Sequence, residues 1–190
     1  MNRKKLLTRS VLAAVTVTVL AAAVALVGSS SSQAATEGGF GPRAASIPPE
    51  IAVPAGQKLT AVFAAQGVQV YQCTAGAWTF VEPAANLIGR TVAPHSTYQT
   101  AVHFRGPSWE STIDGSLVTA TAVANSPVAG SIPQLLLKAA TNRGDGIFGK
   151  VSYIQRLETS GGAAPTGTCT DGATQGVPYR AQYTFYVPAA

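Results

Sequence analysis

The sequence predicts an all-β fold, a single-domain antiparallel β-sandwich or barrel, and three observations carry this prediction. Short stretches alternate apolar and polar residues with a period of two, as in GVQVYQC at 67–73. Glycines and prolines, 19 and 12 in 190 residues, separate these stretches at short intervals. No segment sustains the helical period of ~10–15 residues that would link the strands of a parallel α/β fold. The alternation does not decide between a sandwich and a barrel, nor does it give the strand order.

Residues 1–34 have the features of a secretory signal peptide. Basic residues in the first ten positions precede an uncharged run rich in Val, Leu and Ala at 11–27. Small residues follow, and we expect cleavage after Ala34, with Ala35 as the alternative. An uncleaved membrane anchor is the competing interpretation, although the run is slightly shorter than the ~20 residues of a spanning helix. The small residues favour cleavage, which predicts a secreted, extracellular protein that has no membrane association afterwards.

Removal of the signal peptide changes the charge of the chain. The full sequence has 13 basic and 8 acidic residues, a formal charge of +5. Four basic residues and no acidic ones lie before Ala34, so the mature chain keeps nine basic against eight acidic residues, about +1. No basic stripe remains, which argues against nucleic acid as a partner. We expect a flexible N-terminal segment at 35–56, rich in Gly, Pro and Ala, and one all-β domain at 57–190.

The alternation predicts the position of each strand. In chain order, strands are expected at 58–64, 67–73, 77–81, 88–93, 98–104, 117–124, 135–137, 150–157 and 179–187. Residues 65–67 are predicted to form a turn, and Pro83–Leu87 a helical turn with proline at its first position. Asp114-Gly115 is the best two-residue hairpin signal. Leu135–Leu137 is compatible with a helix or a strand, and the turn residues that follow favour a buried strand.

Residues 144–149, GDGIFG, match the GxGxxG pattern of dinucleotide-binding loops. That function requires a helix directly after the glycines and an acidic residue ~20 positions further on. Here the next segment alternates like a strand, and Glu158 comes too early. We therefore interpret the stretch as a glycine-rich hairpin loop, and predict neither NAD nor any other cofactor.

The candidate site consists of His103, Trp109, Glu110 and Asp114, which lie close together beside a Gly-Pro break. Polar and aromatic groups on a loop suit a non-catalytic module that binds a glycan or another small ligand. An extracellular hydrolase in which His103 works with a carboxylate is the alternative, and a purely structural protein is the third possibility. No metal site is predicted, because metal ligands are too few once the cysteines are oxidised. Arg156 is interpreted as a surface or structural charge.

Cys73 and Cys169 are the only two cysteines, and in an exported chain they predict one disulfide. The sequence does not give the oligomeric state.

Several stretches together resemble a known family. They include HFRGPSWE at 103–110, IPQLLLKA at 132–139, and IQRLETSGGAAP at 154–165 followed by Cys169. The chain resembles domain-of-unknown-function family 3455, whose members are secreted proteins of bacteria and fungi. The resemblance implies export and the Cys73–Cys169 pairing, and it supplies no catalytic residues, although some fungal relatives carry a malate dehydrogenase label. Gln134 stands where the family pattern has Trp.

Overall fold

A computed structural model describes residues 47–92 and 94–189, and its strands form one closed antiparallel barrel. The strands are β1 (Gln57–Thr74), β2 (Ala77–Thr91), β3 (Tyr98–Phe104), β4 (Ser108–Ser111), β5 (Leu117–Ser126), β6 (Gln134–Arg143), β7 (Tyr153–Gly161) and β8 (Thr174–Pro188). Each strand pairs with the next in sequence, and β8 returns to pair with β1. The all-β prediction is confirmed, and the sheet is a barrel rather than a sandwich.

The two ends of the barrel differ in their connections. We call the end that carries the β1–β2, β3–β4, β5–β6 and β7–β8 connections the upper end, and the opposite end the lower end. An eight-stranded barrel has an interior that side chains can fill or that can hold one small ligand. What occupies each end therefore decides what the protein can bind.

β1 keeps the predicted alternation over almost its whole length. Its inward side chains are buried, and they are Ala61, Phe63, Ala65, Gln69, Tyr71 and Cys73. The predicted turn at 65–67 is wrong, because β1 is one continuous strand that pairs with β2 and β8 on either side of Gly67. A Cβ at Gly67 would collide with the backbone of Ala84 and Ala85 in β2, so the glycine permits close strand approach rather than a turn.

The helical turn predicted at Pro83–Leu87 is also wrong, because these residues lie within β2. Pro83 pairs with Gln69 of β1, while the pairing of β2 with β3 begins only at Ala85. The proline, which has no N–H to donate, is tolerated where β2 has a strand on one side only.

The glycine-rich loop at 144–152 fills the lower end. Phe148 is fully buried, and its ring packs against Phe185 (centroids 4.7 Å apart) and Phe63 (5.9 Å). Asn142 Nδ2 donates to the carbonyls of Phe148 (2.8 Å) and Val151 (3.1 Å), which fixes the loop in place. The hairpin-loop interpretation of GDGIFG is confirmed, since the loop joins the antiparallel strands β6 and β7.

Part of the segment predicted to be flexible packs on the outside of the barrel. A 3₁₀ helix spans Pro49–Ile51, and Ile51 is fully buried against Leu136 and Leu157. Gln155 Nε2 donates to the Ile51 carbonyl at 2.7 Å. The packing of Ile51 on the barrel explains why the strand at Leu135–Leu137 is apolar on both faces. Leu137 faces the core, and Leu136 faces the 3₁₀ helix. Residues 1–46, including the predicted signal peptide, lie outside the described residues.

The predicted disulfide is present, with the Cα atoms of Cys73 and Cys169 5.8 Å apart. It links the end of β1 to the β7–β8 connection at the upper end, across a sequence separation of 96 residues. Closing a loop of that size stabilises the folded state by about 4–5 kcal/mol in the chain-entropy treatment. Gly76 N–H also donates to Asp171 Oδ1 (3.0 Å), so the same connection is held twice.

Within 47–92 and 94–189, no helix has the length and apolar character needed to cross a lipid bilayer.

Candidate ligand-binding cavity

The barrel interior is filled at the lower end but contains a cavity of about 540 Å³ at the upper end. We call it the upper cavity. Most of its lining is apolar or aromatic, with a few polar groups, and the residues are Gln69, Tyr71, Phe80, Val81, Pro83, His103, Gly106, Pro107, Trp109, Ala120, Thr121, Ala122, Ile132, Leu135, Leu137, Arg156 and Tyr183. An apolar concave surface with a few fixed polar groups is the usual character of a small-molecule site.

His103 and Trp109 form one wall of the upper cavity. They face each other across the β3–β4 pairing, and their rings stack 4.2 Å apart with an interplanar angle of 9°. The edge of Tyr183 meets both rings, at 5.2 Å from His103 and 5.5 Å from Trp109. The sequence prediction placed these two residues together, and they are together, but as buried rings rather than on an exposed loop.

His103 is held in its neutral form. Burial lowers its pKa from 6.5 to about 3. The positive charge of Arg156 also lowers this pKa, whereas the hydrogen bond to Ser108 raises it by a smaller amount than burial lowers it. Nδ1 lies 2.8 Å from the Ser108 carbonyl, which can only accept, so Nδ1 carries the proton. The ring therefore presents an unprotonated Nε2 and no positive charge at neutral pH.

Arg156 supplies the one formal charge among the lining residues of the upper cavity. It lies on β7 directly opposite Tyr183 of β8, and the two side chains share the inner face. Arg156 Nε donates to the Pro133 carbonyl at 3.0 Å. Of the two interpretations of Arg156, a surface charge is wrong because the side chain lines the cavity, whereas its bond to Pro133 is a structural contact. The available signal was that Arg156 shares a face of the predicted strand with the apolar residue Ile154.

Polar atoms at or beside the cavity are buried without a hydrogen-bond partner among the described residues. They are Gln69 Nε2 and Trp109 Nε1. The hydroxyls of Tyr179 and Tyr183 lack a partner of good geometry, but they interact with each other, and Tyr183 also interacts with Arg156. Burial raises the pKa of both tyrosines, so their hydroxyls stay protonated, although Arg156 opposes the effect. Buried polar groups are nearly always satisfied in folded proteins, so such a cluster calls for a partner.

Glu110 and Asp114, the two carboxylates of the predicted site, lie elsewhere. Glu110 pairs with Arg143 at 2.7 Å on the outside of the barrel. Asp114 lies in the β4–β5 connection and accepts from the backbone N–H groups of Ser116 (2.9 Å) and Ile147 (3.0 Å). Burial acts to raise the pKa of Asp114, but its hydrogen bonds hold it below the ordinary value. The carboxylate thus ties two lower-end loops together and does not face the upper cavity.

The two-residue hairpin predicted at Asp114-Gly115 is wrong in its length. Five residues, 112–116, separate β4 from β5, and within this connection Asp114 binds the neighbouring 144–152 loop.

A larger but shallower groove, of about 840 Å³, lies on the outer wall over β1, β2 and β8. Gln66, Asn86, Arg180 and Gln182 line it, together with Glu158. None of the unpartnered buried polar atoms belongs to its lining residues. The upper cavity combines apolar walls with unsatisfied buried polar atoms, and this groove does not, so the upper cavity is the better candidate for a specific site.

Within the described residues, no cluster of three His, Cys, Asp or Glu side chains could hold a metal ion. Gln134 is absent from the lining of the upper cavity. Its Oε1 accepts from Glu158 N–H at 3.1 Å.

The fold and the site define a disulfide-linked, closed antiparallel barrel with a partly polar cavity at one end. Residues 54–187 match the family described as "Protein of unknown function (DUF3455)", and the chain belongs to this family. No curated protein matches the chain, and no solved structure does. Both stretches that carry the resemblance most specifically supply cavity residues, His103 and Trp109 from one and Arg156 from the other.

Proposed function

We propose that the protein is a non-catalytic module that binds one small ligand with an apolar body in the upper cavity. The observation that carries the proposal is the combination of an apolar space of about 540 Å³ with buried polar atoms that lack partners. A ligand of drug size fits a space of ~300–1,000 Å³. The apolar lining favours such a ligand over a glycan, which would need more hydrogen-bonding groups.

The lining supports binding rather than hydrolysis. It contains no aspartate or glutamate, and the two carboxylates considered for a hydrolase make structural contacts outside the cavity. Glycoside hydrolysis needs a pair of carboxyl groups ~5–9.5 Å apart across the scissile bond. His103 is the remaining candidate base, and its ring is stacked and buried in a lining that contains no serine or cysteine.

Export to an extracellular location forms part of the proposal. Its support is the Cys73–Cys169 disulfide, since such bonds form and persist in oxidising compartments.

The proposal is tested by filling the cavity. Ala120 is buried and lines the upper cavity, so the side chain of Ala120→Phe would occupy the space of a ligand. The matched control is Ala84→Phe, on the outer face of β2. The probe is N-phenyl-1-naphthylamine, an uncharged dye whose emission rises in apolar surroundings.

We expect saturable binding of the dye to the wild-type protein and to Ala84→Phe. Ala120→Phe is expected to weaken the affinity about tenfold or more, because the ring and the dye compete for one space, and tenfold corresponds to ~1.4 kcal/mol. Thermal unfolding of each variant establishes that it is folded. Equal affinities for wild type and Ala120→Phe would contradict the proposal, as would the absence of saturable binding.

A further inference from the structure

The positive charge of Arg156 in the upper cavity has no protein counter-ion among the described residues. The two ion pairs of these residues, Arg105–Glu82 and Arg143–Glu110, lie outside the cavity. Arg156 is partly buried, and removing a charge from water without a partner is costly. A protein that keeps such a charge in an apolar cavity commonly uses it to bind an opposite charge.

The side chain of Arg156 lines the upper cavity, where it contacts the Pro133 carbonyl and interacts with the Tyr183 hydroxyl. Nε donates to the Pro133 carbonyl, which fixes the position of the guanidinium. The Nη1 and Nη2 groups form a planar pair of donors that matches the two oxygens of a carboxylate.

The polar groups near Arg156 are all able to donate. Gln69 Nε2 and Trp109 Nε1 are donors only, and the Tyr183 hydroxyl can donate or accept. Gln69 is 2% exposed, Trp109 1% and Tyr183 0%, so water reaches these groups poorly. His103 is neutral and adds no second charge, which leaves a single cation with several donors around it.

We infer that the ligand of the upper cavity is a monocarboxylic acid with an apolar body, and that Arg156 binds its carboxylate; this rests on the ligand-binding function proposed above. One cation matches one negative charge, whereas a phosphate monoester would bring ~1.5–2 charges at neutral pH. The apolar walls, including Ile132, Leu135 and Leu137, take the body of the acid. An acid with a fused aromatic or short aliphatic body fits the volume.

The test compares an acid with its uncharged isostere. The probes are 2-naphthoate and 2-naphthamide, which share one ring system and differ in the charged group, and affinities are measured by isothermal titration calorimetry at pH 7.5. We expect the wild-type protein to bind the acid at least tenfold more tightly than the amide, because hydrogen bonds to charged groups are the stronger ones. Arg156→Gln is expected to reduce this preference to about threefold or less.

The matched control is Arg180→Gln, which removes the same charge from the outer wall of the barrel and is expected to keep the wild-type preference. A wild-type protein that binds acid and amide equally would overturn the inference, whether or not Arg156→Gln folds. So would an unchanged preference in a folded Arg156→Gln variant, or an Arg180→Gln variant that loses the preference.

The two proposals fail in different ways. In one outcome, the amide and the neutral dye bind, Ala120→Phe blocks them, and Arg156 does not increase the affinity for the acid. The cavity then binds small molecules, but the inference about charge is wrong. If no probe binds saturably, the proposed function itself has failed.

Discussion

A histidine that is stacked on a tryptophan inside a barrel ties the stability of the fold to pH. His103 is 3% exposed, and burial holds its pKa near 3. In the unfolded chain the same ring has its ordinary pKa of ~6.5. Between these two values the unfolded chain takes up a proton that the folded chain cannot.

The free energy of unfolding should therefore fall as the pH falls below ~6.5, and the loss should continue to about pH 3. At pH 5 the expected loss is about 2 kcal/mol relative to pH 7. Asp114, whose pKa is lowered, contributes only in more acidic solution, below its ordinary value of 3.8. Urea unfolding at pH 5, 6 and 7 measures the slope.

The control for this slope is a pair of substitutions. His103→Asn keeps a side-chain donor for the Ser108 carbonyl but does not titrate, so its stability should vary little between pH 5 and 7. His95→Asn, in an exposed loop, should keep the wild-type slope. A folded His103→Asn protein with an unchanged slope would show that another group causes the pH dependence.

The sequence predicted two residues of the candidate cavity, His103 and Trp109, and missed the others. His103 and Trp109 lie six positions apart, so a hairpin brings them together and closeness in sequence was a sound guide. Gln69, Arg156 and Tyr183 come from three other strands, and only the pairing register places them around one space. Alternation gives the face of each residue but not the register between distant strands.

At the scale of elements, the period of two identified most strands but missed the short β4, and two further errors have a common cause. Glycine at 67 and proline at 83 are turn signals in short strands, yet here both lie inside long ones. In a closed barrel, long strands come close together and run past the ends of their neighbours, so a glycine and a proline find places without breaking the strand. The β3 prediction, 98–104, matches the observed bounds because no such residue interrupts it.

The 47–56 segment was not predictable as a packed element. Its Gly- and Pro-rich composition indicates flexibility, and the information that it docks lies in the strands beneath it. Leu136, Leu157 and Gln155 point away from the interior and are nevertheless buried. An outward face with apolar residues and a buried glutamine requires a cover, which the 3₁₀ helix supplies.

The lower-end loop is the element whose role is most easily tested. Phe148→Ala should lower the free energy of unfolding by about 3–5 kcal/mol, because it removes a fully buried ring from between Phe63 and Phe185. Phe80→Ala is the comparison, since Phe80 is 51% exposed at the upper end and its loss should cost about 1 kcal/mol or less. Chemical denaturation of both variants gives the two values. Equal losses would mean that the loop does not fill the barrel as described.

At the scale of the whole molecule, the barrel is asymmetric along its axis. Aromatic packing under the glycine-rich loop fills the lower end, while the disulfide and Tyr71, whose hydroxyl donates to the Gly162 carbonyl at 2.7 Å, hold the β7–β8 connection at the upper end. These links keep the rim in place around a space that side chains do not fill. A rigid rim reduces the entropy lost on binding, which favours a preformed site.

The most direct measurement is an NMR titration of the isotope-labelled protein with 2-naphthamide, which tests whether the upper cavity is where a small molecule binds. The signals of the Trp109 indole N–H and the Gln69 side-chain amide should shift together and saturate, because both groups belong to the lining of the cavity. The backbone signal of Phe148, at the filled end, should stay unchanged. Shifts confined to Gln66, Asn86 and Gln182 of the outer groove, with Trp109 unaffected, would contradict the account.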